Sequence, residues 1–321
     1  MKILILRLSS LGDIVLTEPV TAELRRSFPS AQIHYLTKAA FKPIAECFES
    51  VDKVICYGKN VAFHLSLLKE RYDIVLDLHA KLSTMIVGMM VPHKQLLRYR
   101  KEHGRRRNII LEHIKTNGTS TVELYLKALS GIEGYQAPES YPKPKLVIPQ
   151  MNQKPKMEHA KPLIAVFPGA THQTKMLPVG KLKELIGRLG NEFNFIILGT
   201  REEHYLGELL SGDGVDCQNL CGHYNLPELV RVLSQVDLVV TNDSGPMHLA
   251  AALEKPQIAC FGATHPSLGF SPLNSNAKVM SLDLDCQPCS LHGGDSCPLG
   301  HFACMNTISV ESLEQAVRSL L

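Results

Sequence analysis

The residues able to do chemistry fall in five short stretches of the 321-residue chain. An apolar run, Lys2 to Leu8, gives way to Ser9-Ser10-Leu11-Gly12-Asp13, where an amphipathic stretch begins. The first turn of a helix carries partial positive charge, and Ser10 or Asp13 is expected to cap it. Farther on, Thr241-Asn242-Asp243-Ser244-Gly245-Pro246-Met247-His248 passes from a strand straight into a helix. Unpaired N–H groups at such a start suit a phosphate. Gly245 admits close backbone approach, and Pro246 gives up only a donor that the helix cannot use. Asp243 beside a phosphate requires a donor such as a sugar hydroxyl. The competing reading of this stretch is a helix cap with no ligand.

The third stretch, Pro168-Gly169-Ala170-Thr171-His172-Gln173-Thr174-Lys175, follows the apolar run Leu163–Phe167 and supplies a hydroxyl and a cation. The fourth is basic: Lys94, Arg98, Arg100, Lys101, Arg105, Arg106 and Arg107, with Glu102 as the one acid among them. Nucleic-acid binding would call for interleaved aromatics, but Tyr99 stands alone there and the chain has no Trp. No nucleic-acid partner is therefore expected; a solvated charged face and a loop for an anionic ligand remain. The fifth is Cys286-x2-Cys289-x7-Cys297-x6-Cys304, a spacing open to a structural zinc or iron or to plain reduced thiols.

Strands and helices must aim these loops. Short strand-like runs at Gln32–Leu36, Lys53–Tyr57 and Asp73–Asp77 alternate with helical patterns, including one from Asp13 to about Phe28. The same alternation restarts at Leu163–Phe167, Phe193–Gly199, Asp237–Thr241 and Pro256–Phe261. Such alternation predicts parallel βαβ units, hence an α/β chain of two doubly wound domains, 1–150 and 151–321. A linker over 137–162, rich in proline, joins them. Ligands of such sheets bind outside the carboxyl ends of the strands, in the cleft the two domains are expected to leave. Neither first loop carries the three glycines of a dinucleotide fingerprint, and no Gly-x4-Gly-Lys-Ser/Thr loop occurs.

The net charge of +3 conceals a split: 22 Lys and Arg against 14 Asp and Glu up to residue 150, then 12 against 17. The basic half is expected to meet an anionic partner. The longest apolar runs fall far short of a bilayer span, and Arg7 ends the first after four residues. A cytoplasmic protein is expected.

Three phrases, Leu8-Ser9-Ser10-Leu11-Gly12-Asp13-Ile14-Val15, Pro168-Gly169-Ala170 with Lys175, and Asn242-Asp243-Ser244-Gly245-Pro246-Met247-His248, resemble in order and spacing the ADP-heptose:lipopolysaccharide heptosyltransferases, glycosyltransferase family 9. The resemblance implies a GT-B fold of two Rossmann-like domains, acceptor bound by the first and nucleotide sugar by the second. It implies inverting transfer of heptose from ADP-heptose to an inner-core lipopolysaccharide, without a catalytic metal. On it, Asp13 is the general base and Lys175 holds the leaving diphosphate. Thr171, Ser244, Gly245 and His248 join the donor site, with Asp243 near the sugar. Glu203 is expected at the ribose and Tyr224 against adenine. Ser10, Gly12, Lys81, Arg98, Arg100 and Arg105 are expected to bind the anionic acceptor, at the cytoplasmic face of the inner membrane. Cys297-Pro298-Leu299-Gly300-His301 resembles the second-heptose branch. The alternatives are another nucleotide-sugar transferase of this fold, a protein acceptor, or a non-catalytic nucleotide or nucleic-acid binding module.

Overall fold

Fully apolar strands can be buried on both sides, and the runs beginning Ile3 and Leu163 take that position at the middle of two parallel sheets. The computed structural model describes residues 1–116, 118–150, 159–212 and 217–321. It divides into two compact units: residues 1–102 with 119–147, and residues 103–118 with 148–321. Residues 103–118, expected with the first half, belong to the second unit. The expected boundary falls beside residues 151–158, and that part of the Pro-rich stretch lies outside the described residues.

The first unit runs β1 (Lys2–Leu6), α1 (Leu11–Val15), α2 (Glu18–Ser27), β2 (Gln32–Thr37), α3 (Lys42–Ala45), β3 (Lys53–Cys56), α4 (Val61–Leu68), β4 (Tyr72–Asp77), α5 (Leu82–Met90) and β5 (His93–Arg98). After α6 (His103–Leu111), which belongs to the second unit, α7 (Thr121–Lys127) completes it. Its sheet has the order β3-β2-β1-β4-β5, all parallel, with β1 pairing Ile3 to Ile33 on one side and to Ile74 on the other. Chain direction across the sheet reverses between β1 and β4. The loops after these two strands, Ser9–Asp13 and His79–Lys81, therefore part at the switch point where α/β sheets bind ligands.

The second unit adds β6 (Leu163–Phe167), α8 (Val179–Leu189), β7 (Asn194–Ile197), α9 (His204–Leu210), β8 (Cys217–Asn219), α10 (Leu226–Gln235), β9 (Leu238–Asn242), α11 (Gly245–Ala252), β10 (Gln257–Cys260), β11 (Ala277–Met280), α12 (Ala303–Asn306) and α13 (Val310–Leu320). Its order, β11-β10-β9-β6-β7-β8, reverses between β6 and β9, so the loops holding Lys175 and Asp243 part at its switch point. Helices α8 and α13 close the core with Leu182, Leu185, Ile186, Leu313 and Val317.

Two expectations differ from the structure, and one strand was not expected. The single helix from Asp13 to Phe28 is two, because the chain re-caps at Thr17 and Pro19 cannot continue the α1 ladder. The basic stretch is loop only over 99–102, between the edge strand β5 and α6, and β11 is a further edge strand that composition concealed. Short, polar edge strands give little alternation to detect.

Candidate active site

In the first unit Asp13 sits in the first turn of α1, at the carboxyl end of the central strand. Its Oδ2 accepts from the Ser10 hydroxyl at 2.8 Å and from the Ser10 N–H at 3.3 Å. The same oxygen lies 2.6 Å from Nη2 of Arg7, a buried guanidinium. Arg7 is held on its other edges: Nε donates to Ser9 O, and Nη1 donates to Leu78 O and to the Tyr125 hydroxyl. That hydroxyl stands 3.5 Å from Asp13 Oδ1. Burial opposes the charge on Arg7, but Tyr125 and Asp13 outweigh it and raise its pKa. Asp13 itself keeps about a quarter of its side chain exposed.

The loop after β4 adds a second layer. Asp77, fully buried, accepts from the N–H groups of His79 and Ala80 and pairs with Arg98 Nε at 3.0 Å. His79 is 5% exposed and its Nδ1 has no hydrogen-bond partner. Burial, then the charges of Arg7, Lys81 and Lys101, push its pKa down to about 4, so the ring is neutral at neutral pH. Burial and the same neighbours, Arg7 and Lys81, also lower the pKa of Lys101. Ser10 and Lys81 are exposed beside these groups and Gly12 is buried in the first turn of α1. Arg98 and Arg100 line a cavity of about 470 Å³ with Glu102, Lys127 and Gly131. Arg105 lies on α6, in the second unit.

In the second unit the loop after β6 is fastened by one amide. Asn242 Nδ2 donates to Phe167, Pro168 and Gly169 carbonyls, and its Oδ1 accepts from Leu177 N–H. Lys175 is thereby held with its Nζ 2.8 Å from Asp243 Oδ2, which also accepts from Thr264 Oγ1 at 2.7 Å. Gly293, at φ +90°, brings the chain against Lys175: a Cβ there would come within 2.9 Å of Lys175 Cγ. Ser244 caps α11, with Gly245 and Pro246 opening it and His248 buried one turn in. Thr171 is exposed in the same loop as Lys175. Glu203 accepts from Thr200 N–H and packs so closely on Gly169 that a Cβ there would meet its Oε1 at 1.9 Å. Tyr224 is half-buried, and burial raises its phenol pKa.

The four thiols of the expected cluster lie within electrostatic reach of one another. Among the described residues no three His, Cys, Asp or Glu side chains form a group able to hold a metal ion. Cys304 is drawn into the apolar core under α13, and burial pushes its pKa up to about 11. Cys289 points its Sγ at Ala263 O, while Cys286 lies 3.9 Å from His301 Nε2 and Cys297 sits in an outer turn.

Three working residues lay outside expectation. Arg7 carried a signal, a lone cation closing an otherwise apolar central strand. Asn242 was visible only as part of its loop, and nothing local marks Tyr125.

Two doubly wound parallel sheets, each with its polar loops at a switch point, are the two halves of a GT-B fold. The sequence matches glycosyltransferase family 9 (heptosyltransferase) over residues 61–296, and the chain belongs to that family. It is 25% identical over 335 residues to lipooligosaccharide heptosyltransferase 2 of Campylobacter jejuni subsp. jejuni serotype O:2, covering 100% of this chain and 98% of that one. The solved structure of E. coli ADP-heptose lps heptosyltransferase II shares the fold at a TM-score of 0.79 and 24% identity, over 100% of this chain and 98% of that chain. The iron-containing dodecameric glycosyltransferase TibC of enterotoxigenic E. coli matches at a TM-score of 0.64 and 15% identity, over 99% of this chain and 78% of that one.

Proposed function

We propose that the protein transfers heptose with inversion from ADP-heptose to an anionic inner-core lipopolysaccharide acceptor, in the manner of a second-heptose enzyme. The observation that carries this reading is the Asp13 carboxylate, fixed by Arg7 and Ser10 yet partly open at the switch point of the first sheet. Asp13 takes the proton of the attacking acceptor hydroxyl as the new glycosidic bond forms and the bond to diphosphate breaks. Lys175 and the N–H groups opening α11, at Ser244 and Gly245, carry the charge of the departing diphosphate, so no metal ion is required of the reaction. Thr171 and His248 flank the diphosphate and Asp243 accepts from the sugar. Glu203 serves the ribose and Tyr224 the adenine. Ser10, Gly12, Lys81, Arg98 and Arg100 face the acceptor, whose carboxylates and phosphates suit guanidinium forks; Arg105 is assigned to the acceptor from the second unit. The division of labour follows the two units, acceptor in the first and donor in the second. The enzyme works as a peripheral protein at the cytoplasmic face of the inner membrane.

Support comes from the family and from relatives named as heptosyltransferases. The test is turnover of ADP-heptose against a panel of truncated lipopolysaccharides. Transfer to an acceptor that already carries one heptose is expected. Transfer only from another nucleotide sugar, or only to protein, would sink the reading.

A further inference from the structure

Helices α4 and α5 lie on the same face of the first sheet. Phe63 and Leu67 from one, and Val87 from the other, enter a single core with Leu4, Leu6, Leu36 and Val75. Their opposite sides are apolar too. Val61, Leu65 and Leu68, spaced i, i+4 and i+7, are 72%, 53% and 45% exposed; Leu82, Ile86 and Met89 repeat the spacing at 67%, 46% and 62%. Neither helix contains a Lys, Arg, Asp or Glu. Helices α8 and α13, which cover the other sheet, show the usual pattern, with Lys, Arg and Glu on their outer sides. The apolar outer face of α4 and α5 departs from that pattern, and large exposed apolar patches mark docking sites.

Charge decides the occupant. Lys59 precedes α4, Lys69 and Arg71 follow it, and Lys81 caps α5, all exposed. Glu70 is the one acid between residues 57 and 72, and it is tied to Lys2 and Lys53; no acid occurs from residue 78 to 101. A second copy of this face would set cation against cation. An anionic bilayer answers both features, accepting the apolar side chains at the level of its headgroups and the cations at its phosphates. Among the described residues no helix is long and apolar enough to cross a membrane, so the contact is a face laid on the surface.

We propose that the outer face of α4 and α5 is a membrane-docking surface that seats the protein on anionic lipid. It rests on the reading above that the acceptor is membrane-borne, and it names the surface that reaches it. The test is sedimentation with vesicles of phosphatidylcholine, with or without about 30% phosphatidylglycerol. Wild type is expected to pellet with the anionic vesicles and to be released by salt. The triple variant Leu65→Ser, Ile86→Ser, Met89→Ser should lose about tenfold in bound fraction at unchanged thermal midpoint. Should that variant not fold, Lys59→Gln, Lys69→Gln, Arg71→Gln takes its place and should bind about fivefold less. Wild type left in the supernatant, or variants that pellet equally, overturns the proposal. So does light scattering that finds a wild-type dimer abolished by the triple variant, with no vesicle binding. Turnover on a delipidated, water-soluble acceptor keeps the two readings apart: it should be untouched by these substitutions, and its absence in wild type counts against the transfer reaction and not against docking.

Discussion

Arg7 and Asp13 form an ion pair, Nη2 to Oδ2 at 2.6 Å, in which the cation is buried and the anion is partly open. The asymmetry orients the pair. Every edge of the guanidinium faces a protein oxygen, and the carboxylate is the more exposed member of the pair.

Asp13→Ala is expected to bind ADP as wild type does and to transfer heptose about 10²–10⁴-fold more slowly, the usual contribution of a positioned base. Calorimetry with ADP beside initial-rate measurements checks both halves. Near-normal turnover would reduce Asp13 to a helix cap.

Arg7→Met should be worse for stability than Asp13→Ala, since it leaves a carboxylate facing Tyr125 without its cation and orphans the carbonyls of Ser9 and Leu78. A loss of about 3 kcal/mol is expected from chemical denaturation. Arg7→Lys keeps the charge but cannot make the forked set of bonds, so it should recover part of the stability and little of the rate.

Lys175→Ala removes the partner of Asp243 and the charge assigned to diphosphate. ADP affinity should fall about tenfold to a hundredfold, while adenosine affinity changes little. Equal weakening of both would place Lys175 in a structural role.

Glu18, 5% exposed, accepts from Lys145 N–H, and burial lifts its carboxyl to about 7. The unfolded chain releases this proton near 4.5 and the folded one near 7, so stability is lost as pH rises between those values. Glu18→Gln keeps the acceptor oxygen and removes the charge. It should stabilise the protein by about 3 kcal/mol at pH about 8 and by almost nothing at pH about 4, read from denaturation midpoints.

The sheets were legible because central strands such as Ile3–Leu6 and Leu163–Phe167 are buried on both sides and must be apolar throughout. The turns at Gly12-Asp13 and Asp243-Ser244-Gly245 were legible for a related reason: a strand that passes directly into a helix leaves N–H groups that small polar residues serve. Edge strand β5 escaped because its outward residues, Lys94 and Arg98, match a charged loop. The partners of Asp13 escaped for want of any local sign, since Tyr125 stands 112 residues away and only the fold brings its hydroxyl to Arg7. The thiols were legible only as a spacing open to a metal or to reduced thiols; the fold buries Cys304 in the core while keeping it within electrostatic reach of Cys286, Cys289 and Cys297.

The chain passes from one unit to the other three times, because it leaves the first at Glu102, builds α6, and returns at Thr119 before its last crossing. Arg106 of α6 lies over the ring of Phe270 at 4.8 Å, and His113 Nδ1 is 3.0 Å from Pro288 O. A gene cut in the Pro-rich stretch would therefore send α6 out with the wrong fragment, its buried Arg106 and Ile109 stripped of cover. Separately expressed halves should be poorly soluble alone and recover on co-expression. Shuffling second halves between relatives at that seam should fail unless residues 103–118 travel with the half they pack against.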